Sequence, residues 1–267
     1  MPRSIWNGTV AFGLVTVPVK VYSATENKTI HFQEVHVSDG ARIEHRRICP
    51  NDGDEVDYDE IVKGFEVRQG EWVELTDEEI AAAAGRQTRL VDVEHFVPAG
   101  DIDPVFYERT YYLGAGKDGD DAYALLHAAL ERSERAAVAR WVFHNRERTV
   151  IIRPLDGVLA MHTMRYADEV VDPADFELER VNRKPSEREI EMASALVEGL
   201  HTTFDPAAYE DTYRREVEKV IARKAAGKEI EPPDEEPEEP SDDLLAALEA
   251  SLGGGKGKKR GRKKARA

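Results

Sequence analysis

The sequence predicts a β-rich α+β fold, a β-barrel or a heavily decorated sheet, followed by a small C-terminal helical module and a disordered tail. Three observations predict it. Most of the first two-thirds of the chain falls into short segments with the apolar–polar alternation of half-buried strands. Helical spacing is sparse there and takes over only after Pro185. Beyond residue 228 the chain turns acidic and proline-containing, and then cationic, a composition that cannot bury enough apolar surface to order itself.

The elements follow in order. In TVPVKVYS and the residue before it, Val15, Val17, Val19 and Val21 alternate with Thr16, Pro18, Lys20 and Tyr22. That is a period-two strand, with Pro18 pointing to an edge or bulge position because it has no N–H to donate. TIHFQEVHV (29–37) reads as another strand, His31 and His36 being ordinary positions in it. LTDEEIAAAAG (75–85) is a short helix: Thr76 and Glu79 have capping-box spacing and Gly85 is the stop. RLVDVEHFV (89–97) alternates again, and VFYERTYYL (105–113) is rich in aromatic and β-branched residues, so both are strands. The turn-like GAGKDGDD leads into a helix with Tyr123, Leu126 and Leu130 at helical spacing. ARWVFHN, RTVIIRP and VLAMHTMRY are three successive strands joined at Asn145–Arg148 and Leu155–Gly157. Ser186 and Glu189 form a second capping box, followed by an apolar stripe of Ile190, Ala193, Val197 and Leu200. Asp205–Pro206 is an N-cap with proline at the first helical position, and a helix runs from there toward Gly227.

The expected organisation is a core over 1–180, a helical module over 181–228, an acidic linker with a short helix over 229–252, and a disordered basic tail over 253–267. With 267 residues and 41% hydrophobic content the chain is large enough for a real core. The charged fraction, 34%, exceeds the roughly 25% usual for globular chains, and the formal net charge is −16. A single cysteine, Cys49, excludes an internal disulfide framework and fits a reducing, cytoplasmic compartment. MPRSIWNGTVAFG lacks the apolar run of a signal peptide, and no stretch is long and apolar enough to span a membrane.

Against this acidity stand three cationic groups. The tail GGGKGKKRGRKKARA carries Lys256, Lys258, Lys259, Arg260, Arg262, Lys263, Lys264 and Arg266 with no acid. Blocks of like charge of this kind are interaction tails, and this one suits a polyanion bound through counterion release. Anionic lipid fits less well, because nothing amphipathic or acylatable sits beside it. Arg140, Arg146, Arg148, Arg153 and Arg165 form an island opposed only by Glu147 and Asp156, and Arg42, Arg46 and Arg47 form a smaller one opposed by Glu44. Such residues are either a phosphate-facing patch on consecutive strands or solvated side chains with acid partners. Trp141, Phe143 and Tyr166 read as core rather than as base-stacking residues.

Catalytic signals are weak. Asp101, Asp103, Asp118, Asp120 and Asp121 read as turn and cap residues, since an EF-hand loop needs a longer ordered pattern ending in Glu. No P-loop, GxSxG or HExxH occurs. Cys49 with His45 lacks a second cysteine at CxxC spacing and reads as a buried structural thiol.

The segments SIWNGTVAFGLVTVPVKVYSAT, RRICPNDGDEVDYDEIVKGFE, IDPVFYERTYYL, MHTMRYADE, FDPAAYEDTYRREVEKVI and DLLAALEASL resemble bacterial Ku, the end-binding protein of prokaryotic non-homologous end joining. The resemblance covers nearly the whole chain. It implies a Ku-type β-barrel, with bridging strands closing a homodimeric ring around duplex DNA, and no enzymatic activity or cofactor. It implies three partners: double-stranded DNA ends, a second copy of the chain, and DNA ligase D recruited through the C-terminal region. Strands between 140 and 165 are expected to be completed by the partner subunit. Lys20, the two arginine islands and the tail become the candidate DNA-contacting residues. Many relatives carry CxxC where this chain has CPND, with Asp52 in the second place, so no metal is expected here. A general architectural DNA-coating protein and a metal-dependent nucleic-acid enzyme are the alternatives.

Overall fold

A computed structural model describes residues 3–83, 89–176 and 183–228. The chain divides into two compact units, Met1–Phe176 and Glu177–Ala267.

The first unit is a closed seven-stranded barrel bearing a long excursion. β1 (Trp6–Phe12) and β2 (Val15–Ser23) form a hairpin across Gly13, whose φ of +60° suits glycine. The chain then leaves the barrel through residues 24–89. It returns as β5 (Leu90–Pro98), which lies parallel to β1, and continues into β6 (Tyr107–Ala115). Helix α2 (Asp120–Ser133) precedes the meander β7 (Arg135–Phe143), β8 (Arg146–Leu155) and β9 (Val158–Met164). The order around the barrel is β1-β2-β6-β9-β8-β7-β5. His144 and Asn145, at φ 52° and 59°, make the β7–β8 turn, and Asp156 and Gly157, at 49° and 79°, make the β8–β9 turn. Paired positive φ values match the twist of a tight hairpin, which places the first join one residue earlier than expected.

Alternation decides the interior. Val17, Val19 and Val21 of β2 point inward with Val10, Tyr111, Leu113, Val150, Ile152, Leu159 and Met161, all buried. Each such aliphatic side chain stabilises the fold by about 1.5–3 kcal/mol. Trp141, fully buried, meets Trp6 and Tyr111 edge-on at 5.9 and 5.5 Å and stacks on Phe143 at 4.5 Å. Helix α2 touches β2, β7 and β8, which lie on opposite sides of the barrel, and sends Leu126 and Leu130 into the interior cluster. It therefore caps one end, near the β8–β9 turn. Pro18 lies at the end of the β2–β6 ladder: its carbonyl accepts from Gly116 N–H at 2.8 Å, and its missing donor faces the same way, where β6 has run out.

The excursion differs most from expectation. Residues 29–37 are not a strand. Strand pairing between 24 and 62 is limited to isolated bridges, Val35↔Arg42 and Ile48↔Glu55, because among the described residues no neighbouring strand takes the backbone hydrogen bonds of TIHFQEVHV. The excursion does contain an unforeseen hairpin, β3 (Lys63–Arg68) with β4 (Glu71–Leu75), turning at Gly70 (φ 80°). Its residues are all exposed, Phe65 and Trp72 at 65% and 61%. Helix α1 (Asp77–Ala83) has the expected capping box, Glu79 N–H to Thr76 Oγ1 and Thr76 N–H to Glu79 Oε2; Gly85 lies outside the described residues. Strands β7, β8 and β9 complete the barrel within one chain, so the expectation that a partner completes residues 140–165 is corrected.

In the second unit, α3 (Glu187–Gly199) carries the expected Ser186–Glu189 capping box. Asp205–Pro206 starts only a single 3-10 turn. The long helix α4 (Thr212–Ala225) is instead capped by Asp211, whose carboxylate accepts from Arg214 N–H at 2.9 Å. The predicted stripe is exposed at Ile190, Val197 (71%) and Leu200 (73%) and half-buried at Ala193. Among the described residues no helix is long and apolar enough to cross a membrane.

Candidate nucleic-acid interface

The island of five arginines is brought together only in part. Arg146 and Arg148 share the inward parity of Val150 and Ile152 on β8, but they sit at the start of the strand, at the barrel mouth opposite α2. Arg165 follows β9 at the same mouth. With Glu108, Met164, Tyr166 and Glu169 these arginines line a cavity of about 180 Å³. Arg148 donates to Glu108 Oε2 at 3.2 Å, and the same oxygen accepts from the buried Thr163 hydroxyl at 3.1 Å. Arg146 lies 3.9 Å from Glu169, whose other oxygen accepts from Tyr166 N–H at 2.7 Å. Arg165 donates to the carbonyls of Val105, at 2.8 Å, and Tyr107. Tyr166, expected in the core, is 40% exposed at this rim, whereas Trp141 is buried as expected.

Arg140 and Arg153 have the opposite parity and face outward. Arg140 is held between Glu94 at 2.5 Å and Glu147 at 3.1 Å, and these carboxylates, Glu94 first, raise its pKa. Arg153 donates from Nε to His162 Nε2 at 3.2 Å. An arginine only donates, so the His162 proton resides on Nδ1, which bonds Thr110 Oγ1 at 3.0 Å. Burial first, then the Arg153 charge, push the His162 pKa down to about 4, so the imidazole is neutral at pH 7. Lys20 is exposed on the outer face of β2, opposite Asn7 and Gly114.

The second island lies on the excursion. Arg46 pairs with Glu55 at 3.0 Å, Arg47 stands over the Tyr58 ring at 5.3 Å, and Arg42 forms the bridge with Val35. The CPND turn closes through Cys49 N–H to Asp54 O and Gly53 N–H to Cys49 O, both at 2.9 Å. Asp52 accepts the Asp54 N–H at 3.0 Å; that bond, then one from the Cys49 thiol, lowers its pKa. Cys49 is half-buried rather than buried. Among the described residues no three His, Cys, Asp or Glu side chains converge to hold a metal ion. The eight tail cations lie outside the described residues.

Sequence reading missed Glu108, Thr163 and Glu169 because their convergence depends on the β6–β9 register and its bulge between Tyr107 and Arg109. The only signal for Glu108 and Thr163 is a polar residue near a strand end, and Glu169 lies in the 3-10 turn Ala167–Glu169 after β9.

The sequence that folds into this barrel also matches a known domain. The family model described as the Ku70/Ku80 beta-barrel domain matches residues 11–192. The chain belongs to the Ku family. A protein of Anaeromyxobacter sp. (strain K), "Non-homologous end joining protein Ku", is 42% identical, with 87% of this chain and 79% of the relative covered. A protein of the same name from Mycobacterium tuberculosis (strain H37Rv) is 37% identical over 84% of each chain. "Non-homologous end joining protein Ku 2" of Saccharopolyspora erythraea is 38% identical, covering 87% of this chain and 78% of the relative. The Ku match spans the barrel from the end of β1 onward, the whole excursion after β2 and the start of the second unit.

Proposed function

We propose that this Ku family member binds the ends of double-stranded DNA in non-homologous end joining, without reading sequence and without catalysing a reaction or needing a cofactor. Similarity over more than four-fifths of the chain to proteins named for that process carries the reading. The ring is the finer part of the proposal. Residues 24–89 expose Phe32, Val37, Phe65 and Trp72, and among the described residues no strand pairs with either outer edge of the β3–β4 hairpin. An isolated two-stranded hairpin is marginal in water, and open edges with exposed apolar side chains call for cover. A second copy of the chain supplies it, so the excursion, and not residues 140–165, is the bridging segment of a homodimeric ring. DNA ligase D docks on the C-terminal region, where α3 and α4 expose Val197, Leu200 and Tyr213. The protein works in the cytoplasm, on broken chromosomal DNA.

A closed ring needs a free end. The test compares retention of the dimer on linear duplex, on the same duplex blocked at both ends, and on closed circles at physiological salt. Strong retention on linear DNA alone is the expected result. Equal retention on circles would instead favour a general DNA-coating protein.

A further inference from the structure

We infer that the barrel mouth is a seat for one nucleic-acid phosphate, lodged among Arg146, Arg148 and Arg165. The inference rests on the DNA-binding reading and adds to it the residues and the chemical group. Each guanidinium has five N–H donors in a planar fork. Arg148 uses Nη1 on Glu108, Arg146 approaches Glu169 through Nη2, and Arg165 gives Nη1 to two backbone carbonyls. These anchors fix the forks on the walls of a cavity of about 180 Å³ and leave most of their donors for a ligand. Three guanidinium charges against two carboxylates leave a positive excess on a chain of formal charge −16. Ion pairs as exposed as Arg146–Glu169 are weak, and phosphate accepts stronger, charge-assisted bonds from arginine.

The carboxylates are positioning residues. Glu108 is tied to the buried Thr163 hydroxyl and Glu169 to the Tyr166 amide, so neither follows its arginine toward the ligand. They orient the forks at the cost of some attraction. Arg140, clamped by two carboxylates on the outer face, and Arg153, committed to His162, do not reach this cavity.

The experiment uses the full chain, in an Arg146→Gln/Arg148→Gln double variant and a Glu108→Gln variant. Duplex binding is measured across a salt series, with 5′-phosphorylated and 5′-hydroxyl ends. The double variant is expected to shallow the log–log salt slope by about 0.9, one phosphate's worth. Glu108→Gln, which keeps the acceptor for Thr163, is expected to tighten binding about threefold or more by removing a nearby like charge. If the seat takes a terminal monoester, removing the 5′-phosphate reproduces the slope loss in the unmodified protein and does nothing further in the double variant. If it takes a backbone diester, the slope loss is independent of the 5′ group. A folded double variant with unchanged slope and affinity overturns the seat. Should the double variant unfold, failure of Glu108→Gln to tighten binding overturns it instead. Preference for linear over circular DNA is scored separately, so loss of the end-binding reading is distinguishable from loss of the seat.

Discussion

Tyr123→Phe removes one oxygen from the point where α2 meets the barrel. That hydroxyl stands at the last register pair of β6 and β9, Leu113↔Leu159. It donates to Leu113 O at 2.6 Å and accepts from Leu159 N–H at 2.8 Å, so it replaces a direct rung of the ladder. Burial pushes the phenol pKa up, which keeps the hydroxyl a donor throughout the physiological range. Phenylalanine retains the ring packing but leaves an amide and a carbonyl facing each other across the space one oxygen filled. Losing one hydrogen bond costs about 1 kcal/mol, and stranding its buried partners brings the total to about 1–3 kcal/mol. At about 2–4 °C per kcal/mol for a unit of this size, Tm falls by about 2–12 °C. Urea unfolding followed by tryptophan fluorescence is the assay, because Trp6 and Trp141 report on the barrel interior. A midpoint unchanged by the substitution would refute the bridging role. A changed m-value would mean that the denatured ensemble, not the lost bridge, accounts for the effect.

Three further outcomes are expected. Leu126→Ala, at a 2% exposed position under the helical cap, should destabilise the barrel by about 2–5 kcal/mol in the same assay. His162 resists protonation until about pH 4, while the unfolded chain takes up that proton near pH 6.5, so its contribution to stability is complete above pH 6.5 and is lost as pH falls toward 4. Denaturation at pH 7 and pH 5 should show this decline, and His162→Gln should flatten it. Deleting residues 253–267 removes eight positive charges. This should shallow the salt slope of DNA binding by at most about 7 units while sparing the preference for ends, as measured by titration of linear and circular DNA.

The barrel was legible in the sequence where strands are two-faced. Val17, Val19 and Val21 announce themselves by alternation and are buried, while Val15, which shares their pattern, is 39% exposed at the strand's start. The three strands from Arg135 to Met164 were legible as successive strands, but β9 is buried on both faces from Leu159 to Thr163. The Thr76 and Ser186 caps were legible because a capping box is a local contract between residues three apart. The excursion was misread because alternation in TIHFQEVHV has no neighbour to pair with, whereas KGFEV and EWVEL find each other across Gly70. Proximity of the arginines along the chain was a poor guide to their grouping. Residues 146 and 148 share a face, while 140 and 153 are turned away by strand parity, and the meeting of Glu108 with Thr163 depends on the bulge in β6, where Thr163 pairs with Arg109 and Glu108 is the extra residue.

The parity of β8 also bears on how an acidic chain approaches a polyanion. Arg140, on the outer face, meets two carboxylates, Glu94 and Glu147. Such pairs cancel at distances beyond roughly 10 Å in physiological salt, so the barrel wall offers DNA little long-range attraction. The mouth differs in geometry rather than in composition. Its carboxylates are held back by Thr163 and Tyr166, and its guanidiniums point into one small concavity. Charge arranged in this way acts only at contact. On the proposed reading, the eight cations beyond the acidic stretch are what supplies the attraction at a distance that the body lacks. On that reading long-range capture and short-range seating belong to different parts of the chain, and each is expected to be weakened by substitution without abolishing the other.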